Sequence, residues 1–572
     1  MLTEFTSGTV RDYYKEIHRT VKDHNINAYA TYEHLWNMKH NFKAVAGMQF
    51  EDYRADQLST EKSDLLSESL SSMSVATGEM VISQDISAWR TLGFFTRVNY
   101  DYMGKYLLEM SGRWDGTSRF AAADRWGFFP SASLGWRTSE ENFFEPLKDF
   151  WNSAKVRFSL GSLGNQQVDN YAYFDQISTD SQMSYTFDGL TKAYYAKVTD
   201  PKSANLTWET ITTYNWGLDL GFFDNRLSVT ADYFIRYTND MLTTSLTLPS
   251  VFGANTPEAN CANLRTNGWE LYLGWNDSFK LAGKEFKYNV SATVGDYKSV
   301  ITKYNNPDKL ISDYYEGRTL GEIWGYKVGG LFATDEEAAA YQAEINDKAV
   351  NNRVYSSKTE SILKAGEVRF LDLDGDKVIS EGSGTVSDPG DKRIIGNETP
   401  RYSYTFRLGA EYAGIDFSAF FQGVGKRDWY PTQYSYNFWG PYSQPAVSFI
   451  HKDFLENCWS EENPDAYFPR QRGYQAYSAG SLGVVNDRYL QNAAYLRLKN
   501  ITLGYTIPFK TKWLNKARVY VSGENLFYWS PIKKYSKLVD PELCHSTSTK
   551  YSKSGYGYGF SKTFSVGIDV TF

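Results

Sequence analysis

Apolar and polar residues alternate along much of this chain, most cleanly at its end. Phe564, Val566, Ile568, Val570 and Phe572 fall on one face of an extended strand, and Thr563, Ser565, Gly567, Asp569 and Thr571 on the other. Residues 226–238 repeat the pattern. Leu227, Val229, Ala231, Tyr233, Ile235 and Tyr237 alternate with Ser228, Thr230, Asp232, Arg236 and Thr238, and only Phe234 interrupts the polar series. A period of two marks a strand with one apolar and one polar face. Lipid outside and water inside a barrel require that pattern, although a sandwich strand with one wet face gives the same string. In a barrel, Val229, Tyr233, Val566 and Ile568 face outward.

Strand spacing separates the two architectures. The alternation predicts strands at 8–20, 26–36, 40–53, 87–102, 105–116, 125–138, 154–163, 207–223, 225–240, 261–277, 285–297, 401–413, 415–424, 493–507, 515–527 and 561–572. That is about sixteen strands, more than a sandwich uses. Met103-Gly104, Asp224-Asn225 and Ala413-Gly414 read as tight hairpin turns, and 54–86, 164–206, 298–400, 425–492 and 528–560 as long excursions. With Phe572 on the periplasmic side, counting strands backwards puts every tight turn in the periplasm and every excursion outside the cell, as outer-membrane barrels arrange them. The fold class is therefore all-β, an antiparallel transmembrane β-barrel with long extracellular loops. Excursion 298–400 is a large loop insertion with its own structure: Thr334-Asp335-Glu336-Glu337 is a capping box, and the Ala-rich run after it predicts a helix to about Asp347.

Composition changes this little. The chain is 42% hydrophobic and 17% aromatic, and its mean hydropathy is -0.50. No apolar run reaches the roughly 18 residues of a membrane helix, which does not bear on barrels. A net charge of -7 without a Lys/Arg cluster argues against nucleic acid as a partner. Cys261, Cys458 and Cys544 lie far apart, match no metal spacing and are odd in number, so they read as incidental thiols. Among the six histidines, His24 and His40 open similar HNI and HNF segments and read as paired strand starts. No Ser-His-acid set has motif context, and Gly555–Gly559 follows no strand-to-helix plan for a phosphate loop, so no enzyme is expected. Met1–Asn25 contains YYKE and HRTVKDH but no apolar run of a signal peptide. An exported barrel needs one, so either the protein is not exported or its natural N-terminus lies upstream.

A series of motifs runs in order along the chain: GKYLLEMSGRWDGTSRF…RWGFFPSASLGWR, LTWET at Leu206–Thr210, NWGLDLGFFDNRLSVTADYFIRYTNDML, NGWEL at Asn267–Leu271, GEIWGYKVGGLF at Gly321–Phe332 and GEVRFLDLDGDKVI at Gly366–Ile379. The series continues with KRIIGNETPRYSYTFRLGAEYAGIDFSAFFQG at Lys392–Gly423, WSEENPDAYFPR at Trp459–Arg470, YLRLKNITLGYTIP at Tyr495–Pro508, RVYVSGENLFYWS and DPEL. Each is weak alone. Together, over nearly the whole length, they resemble the SusC/RagA-like family of TonB-dependent outer-membrane transporters.

The resemblance implies a barrel of about twenty-two strands with an N-terminal plug inside it. Residues 1–572 then correspond to the C-terminal portion of the barrel, with the plug, the TonB-contacting box and several N-terminal strands upstream. It implies import of a large nutrient, a glycan or a peptide, with a SusD-like surface lipoprotein as partner. The TonB complex would be engaged through the upstream part. Outer-membrane lipids and the barrel-insertion machinery complete the expected partners, and Phe572 resembles that machinery's recognition signal. A passive pore or an adhesin formed by the barrel alone is the alternative.

Two segments are candidate sites. Asp372, Asp374 and Asp376 stand at alternate positions like the first ligands of a calcium loop, with the Val378 carbonyl and Asp391 as further candidates. Here Lys377 replaces the usual glycine, and Glu381–Gly390 separates Ser380 from Asp391; the alternative is a solvent-facing acidic turn whose charge Lys377 partly neutralises. Asp428–Tyr442 concentrates aromatics, and Trp429, Tyr430, Trp439 and Tyr442 are the candidates for stacking on sugars or meeting a lipoprotein, against packing within the loop or an interfacial belt.

Overall fold

The computed structural model describes residues 13–66, 72–186, 192–198, 200–203, 206–244, 251, 256–351, 363–433, 435–446, 450–473, 475–476, 481–508, 513–544 and 559–572. Its principal sheet has fifteen strands that hydrogen-bond in chain order. They are β1 (Tyr13–Trp36), β2 (His40–Ser63), β3 (Met80–Tyr102), β4 (Tyr106–Thr117), β5 (Trp126–Trp136), β6 (Trp151–Asn165), β7 (Glu209–Phe222), β8 (Leu227–Thr244), β9 (Glu258–Leu281), β10 (Lys284–Tyr304), β11 (Arg401–Tyr412), β12 (Ile415–Lys426), β13 (Tyr495–Ile507), β14 (Lys516–Trp529) and β15 (Thr563–Thr571). Among the described residues β1 and β15 each have one neighbour, so the sheet is open.

Short and long connections alternate along the sheet except around β5, where 118–125 is shorter than 137–150. Met103-Gly104, Ala282-Gly283 and Ala413-Gly414 all have positive φ at both residues (55° and 68°, 46° and 80°, 52° and 87°). That is the backbone whose twist matches the flanking strands in a two-residue hairpin. The expected two-residue turn at Asp224-Asn225 is longer, because Phe223, Asp224 and Asn225 all adopt positive φ between β7 and β8.

Several strand boundaries differ from expectation: β9 is longer at both ends, β10 runs on to Tyr304 into the expected excursion 298–400, and the largest changes are at the first strands. The described part of segment 8–20, from Tyr13, and segment 26–36 belong to one strand, β1, paired with β2 at every residue from Tyr13 to Trp36, while 8–12 lie outside the described residues. Asp23, His24 and Asn25 break the alternation, but with neither Gly nor Pro there the ladder continues through them. His40 opens β2 while His24 sits inside β1. Excursion 54–86 contracts to 64–79, because β2 runs to Ser63 and β3 starts at Met80.

Two compact units divide the chain. In the first (Met1–Leu134, Ser159–Thr212, Thr238–Cys261), β1 to β4 form ladders without register shifts whose two faces differ. One face exposes Met48, Phe94, Met110, Trp114 and Phe128, and Trp114 meets Trp126 at 4.8 Å. The other carries Gln49 and the Arg113–Asp115 pair, with contacts of 2.8 and 3.0 Å. A small core of Phe120, Phe129, Val168, Leu206 and Trp208 closes this unit's loops.

The second unit (Gly135–Phe158, Thr213–Tyr237, Ala262–Phe572) has the same two-faced strands. Trp216 lies 6.0 Å from Tyr233 on the apolar face, and Val519 and Val521 pair with Ile568 and Val566. The unit also carries small loop sheets, Glu322–Tyr326 with Lys392–Asn397 and Val328–Leu331 with Val368–Phe370. Its helix, Asp335–Glu344, starts where the capping box placed it: Thr334 accepts the Glu337 N–H, and the Glu337 carboxylate accepts the Ala333 N–H at 2.8 Å. It stops before Asp347 because Ile345 turns extended and Asn346 bridges to Val378 instead.

Candidate functional site

The outer ends of β10 to β14 support a folded loop assembly with a core of its own. Excursions of this length must bury apolar side chains to hold a shape. The core gathers Tyr326, Val368, Phe370, Trp429, Phe438, Trp439, Tyr442, Phe454, Phe468, Tyr489, Ile532 and Val539 from segments far apart in sequence.

The four aromatics expected to meet substrate or partner belong to this core. Trp439 is fully buried, with its indole N–H on the Pro431 and Thr432 carbonyls at 3.2 and 3.1 Å. Its ring meets Phe438 and Tyr489 edge-on at 4.8 and 5.3 Å. Tyr442 is buried and donates to the Pro469 carbonyl at 2.6 Å. Tyr430 donates to the Val484 carbonyl at 2.7 Å and accepts from Asn486 at 2.8 Å. Trp429 is buried and packs edge-on against Phe438. Trp429, Trp439 and Tyr442 are covered by the loop itself and Tyr430 is partly buried against the same core, so the four help to shape the loop assembly. Tyr434, in the same run, lies outside the described residues.

In the acidic loop, one oxygen from each of Asp372, Asp374 and Asp376 lies within 4.8 Å of the others. Oxygens bound to one calcium at about 2.3–2.6 Å are at most about 5 Å apart, so the three fit a common ion. Asp372 also accepts the Gly375 and Lys377 N–H groups at 2.7 and 2.9 Å, and these bonds, Gly375 first, hold its pKa below the usual carboxylate range. The Asp376 N–H pulls Asp374 down, but desolvation and the nearby Asp391, Asp376 and Asp372 carboxylates outweigh it and leave its pKa raised. Asp391 stands outside the trio. It is buried, and its two oxygens accept the Leu373 and Ser380 N–H groups at 2.6 and 2.9 Å, clamping the two ends of the loop. Val378 donates its N–H to Asp376 at 2.7 Å. Lys377 takes the left-handed conformation that glycine favours (φ 64°) and turns its ammonium to Glu344 at 3.2 Å, away from an ion-neutralising role inside the loop.

Sequence reasoning missed the ion pairs that order the polar face of the second unit. Arg157 reaches Asp219 at 2.7 and 3.0 Å and Asp232 at 3.2 Å across β6, β7 and β8. Arg518 holds Asp416 at 2.6 and 2.8 Å and Asp569 at 3.0 Å. Arg401 grips Asp296 with two contacts of 2.5 Å. At the outer end of β13 a buried Arg497 contacts Asp540 at 2.5 Å within the DPEL segment. Parity was the available signal for Arg157, Asp219, Asp232, Arg518, Asp416 and Asp569, which occupy polar-face positions, but not for Asp296, registered opposite Trp269, or Asp540, which lies in a loop; the register that aligns the pairs was not legible.

This architecture has known counterparts. Residues 3–526 match the family model described as TonB dependent receptor-like, beta-barrel. The chain belongs to this family. It is 24% identical over 569 residues to TonB-dependent receptor P26 of Formosa agariphila, covering 93% of this chain and 51% of that protein. It is 28% identical over 501 residues to TonB-dependent receptor SusC of Bacteroides thetaiotaomicron, covering 84% and 44%. The solved structure of the RagAB peptide transporter shares its fold, with a TM-score of 0.74 and 22% identity over 98% of this chain and 56% of that one. The chain spans about half the length of the curated relatives it matches.

As a TonB-dependent receptor barrel it resides in the outer membrane. In outer-membrane barrels the short turns face the periplasm and the long loops the outside. Phe572 follows β15 and is exposed.

Proposed function

We propose that this chain forms the barrel wall and outer-loop assembly of an energy-coupled importer of large nutrients, glycans or peptides, that works with a SusD-like surface lipoprotein and draws energy from the TonB complex through the rest of the protein. The observation that carries this reading is the combination of a polar, ion-paired inner wall with a rigidly cored outer-loop assembly. A wet path through the strands, capped by a shaped extracellular entrance, suits capture of something larger than an ion. The likeness to the RagAB peptide transporter supports an oligomeric nutrient such as a peptide. The acidic loop fits calcium as a brace of that entrance, with Asp372, Asp374 and Asp376 supplying oxygens and no part in translocation.

The test is uptake. Cells lacking the gene should lose growth on, and accumulation of, one class of labelled oligosaccharide or oligopeptide, and collapsing the proton gradient should have the same effect in wild type. Uptake that survives loss of the gradient, with steady conductance of the purified protein in planar bilayers, would instead support a passive pore.

A further inference from the structure

The ladder of β1, β2 and β3 locates the bilayer on this chain. On the outward face, registered rows run from Trp36–His40–Tyr102 through His34–Phe42–Tyr100 and Ala28–Met48–Phe94 to Ile26–Phe50–Leu92. Tyr106 extends the first row into β4, and Trp114 pairs with Phe94. The lower edge is aromatic, as expected at a membrane interface. The interval His40–Phe50 matches the roughly 9–11 residues a tilted strand needs to cross the hydrocarbon.

The next rows on the same face change character abruptly. They read His24–Asp52–Arg90 and Lys22–Arg54–Ala88, then Thr20–Asp56–Ile86. Arg90 uses Nε to reach Asp52 at 2.6 Å, and Arg54 uses one Nη to reach Asp56 at 3.1 Å. Both guanidinium groups are exposed and keep outward donors. Lys22 is exposed, has no ion-pair partner among the described residues, and is registered directly opposite Arg54. Like charges opposite each other across an antiparallel pair are destabilising, and the single Asp56 carboxylate, which bonds Arg54 and attracts Lys22, offsets only part of that repulsion. Three cations against two carboxylates leave an excess positive charge immediately above the apolar band, at the depth of the outer-leaflet headgroups.

We propose that Lys22, Arg54 and Arg90 form a docking surface for the phosphate of an anionic outer-leaflet lipid, whose acyl chains lie along the Ile26–Phe50–Leu92 row below. The phosphate sits between Lys22 and Arg54 and relieves their repulsion, and Arg90 supplies a further donor. Asp52 and Asp56 hold the two arginines in place and leave their remaining N–H groups directed at lipid.

The experiment uses the protein purified from outer membranes and reconstituted in phosphatidylcholine nanodiscs with traces of spin-labelled phosphatidylglycerol or spin-labelled phosphatidylcholine. The motionally restricted fraction reports the lipid in contact with the protein. Wild type should prefer phosphatidylglycerol, the preference should fall with salt, and Lys22→Ala with Arg54→Ala should reduce it by roughly fivefold per charge removed. Lys22→Arg should retain it, which separates loss of charge from misfolding; heat-modifiable migration checks each barrel. Absence of any preference in wild type overturns the proposal, as does an unchanged preference in the folded double variant. Abolition of the preference by millimolar inorganic phosphate at constant ionic strength also overturns it, since the site would then take free anions.

Discussion

Arg497 is the joint between the strands and the outer loops, and its replacement by methionine is a demanding test. The side chain is buried, contacts Asp540 at 2.5 Å, and lies between the Tyr528 and Phe560 rings with centroids at 4.7 and 4.8 Å. Its Nε is 3.0 Å from Glu542 without an N–H aimed at that oxygen, so the Asp540 contact carries most of the pairing. Removing one member of a buried ion pair costs about 3–5 kcal/mol, because the other charge stays buried. Glu542 keeps Lys499 at 2.6 Å, and Asp540 keeps the Glu542 N–H at 3.0 Å, which favours the lower end of that range. A local loss of about 3 kcal/mol raises the open population roughly a hundredfold. Hydrogen exchange of 530–544 should therefore accelerate by about that factor, while β13 away from position 497 and β14 stay protected. Asp540→Asn in the same chain should restore most of the protection by removing the stranded charge. If exchange in Arg497→Met stays within about threefold of wild type, with the double variant no different, the pair is not a joint and the reasoning fails.

Thr334→Ala removes the N-cap of Asp335–Glu344 and should cost about 1 kcal/mol, read as faster exchange confined to that helix. The acidic loop should bind calcium saturably at millimolar concentration in wild type and lose it in Asp374→Ala; chelator should loosen 372–380 and leave the strand ladder unchanged. Deleting Phe572 should lower the amount of protein inserted in the outer membrane at native expression, and unchanged insertion would remove its role as an assembly signal.

Strand existence was legible because the two-residue period survives wherever one face meets lipid and the other water: Tyr233 packs on Trp216 while its neighbour Asp232 meets Arg157. Strand ends were less legible. Above Phe50 the outward face of β2 is no longer apolar, so Arg54 and Asp56 read as loop although the ladder to β1 and β3 continues through them. The acidic trio was visible as spacing, whereas the clamping of Asp391 was not, since it depends on which N–H groups the loop closure brings near. The aromatic run Trp429–Tyr442 was conspicuous, but sequence does not say which rings a long loop turns inward. Partners of Trp439 such as Tyr489 lie fifty residues away along the chain, and only the fold brings them together.

The central claim is that the strands divide lipid from water by residue parity. Nitroxide labels placed singly at successive positions 92–98 of β3 in the protein reconstituted in lipid bilayers measure this directly, through collision with oxygen in lipid and with a nickel chelate in water. Leu92, Phe94, Thr96 and Val98 share the outward face, and Gly93, Phe95 and Arg97 the inward one. The account predicts oxygen maxima at the even positions and nickel maxima at the odd ones. The same phase at both probes, or the reverse assignment, would contradict it.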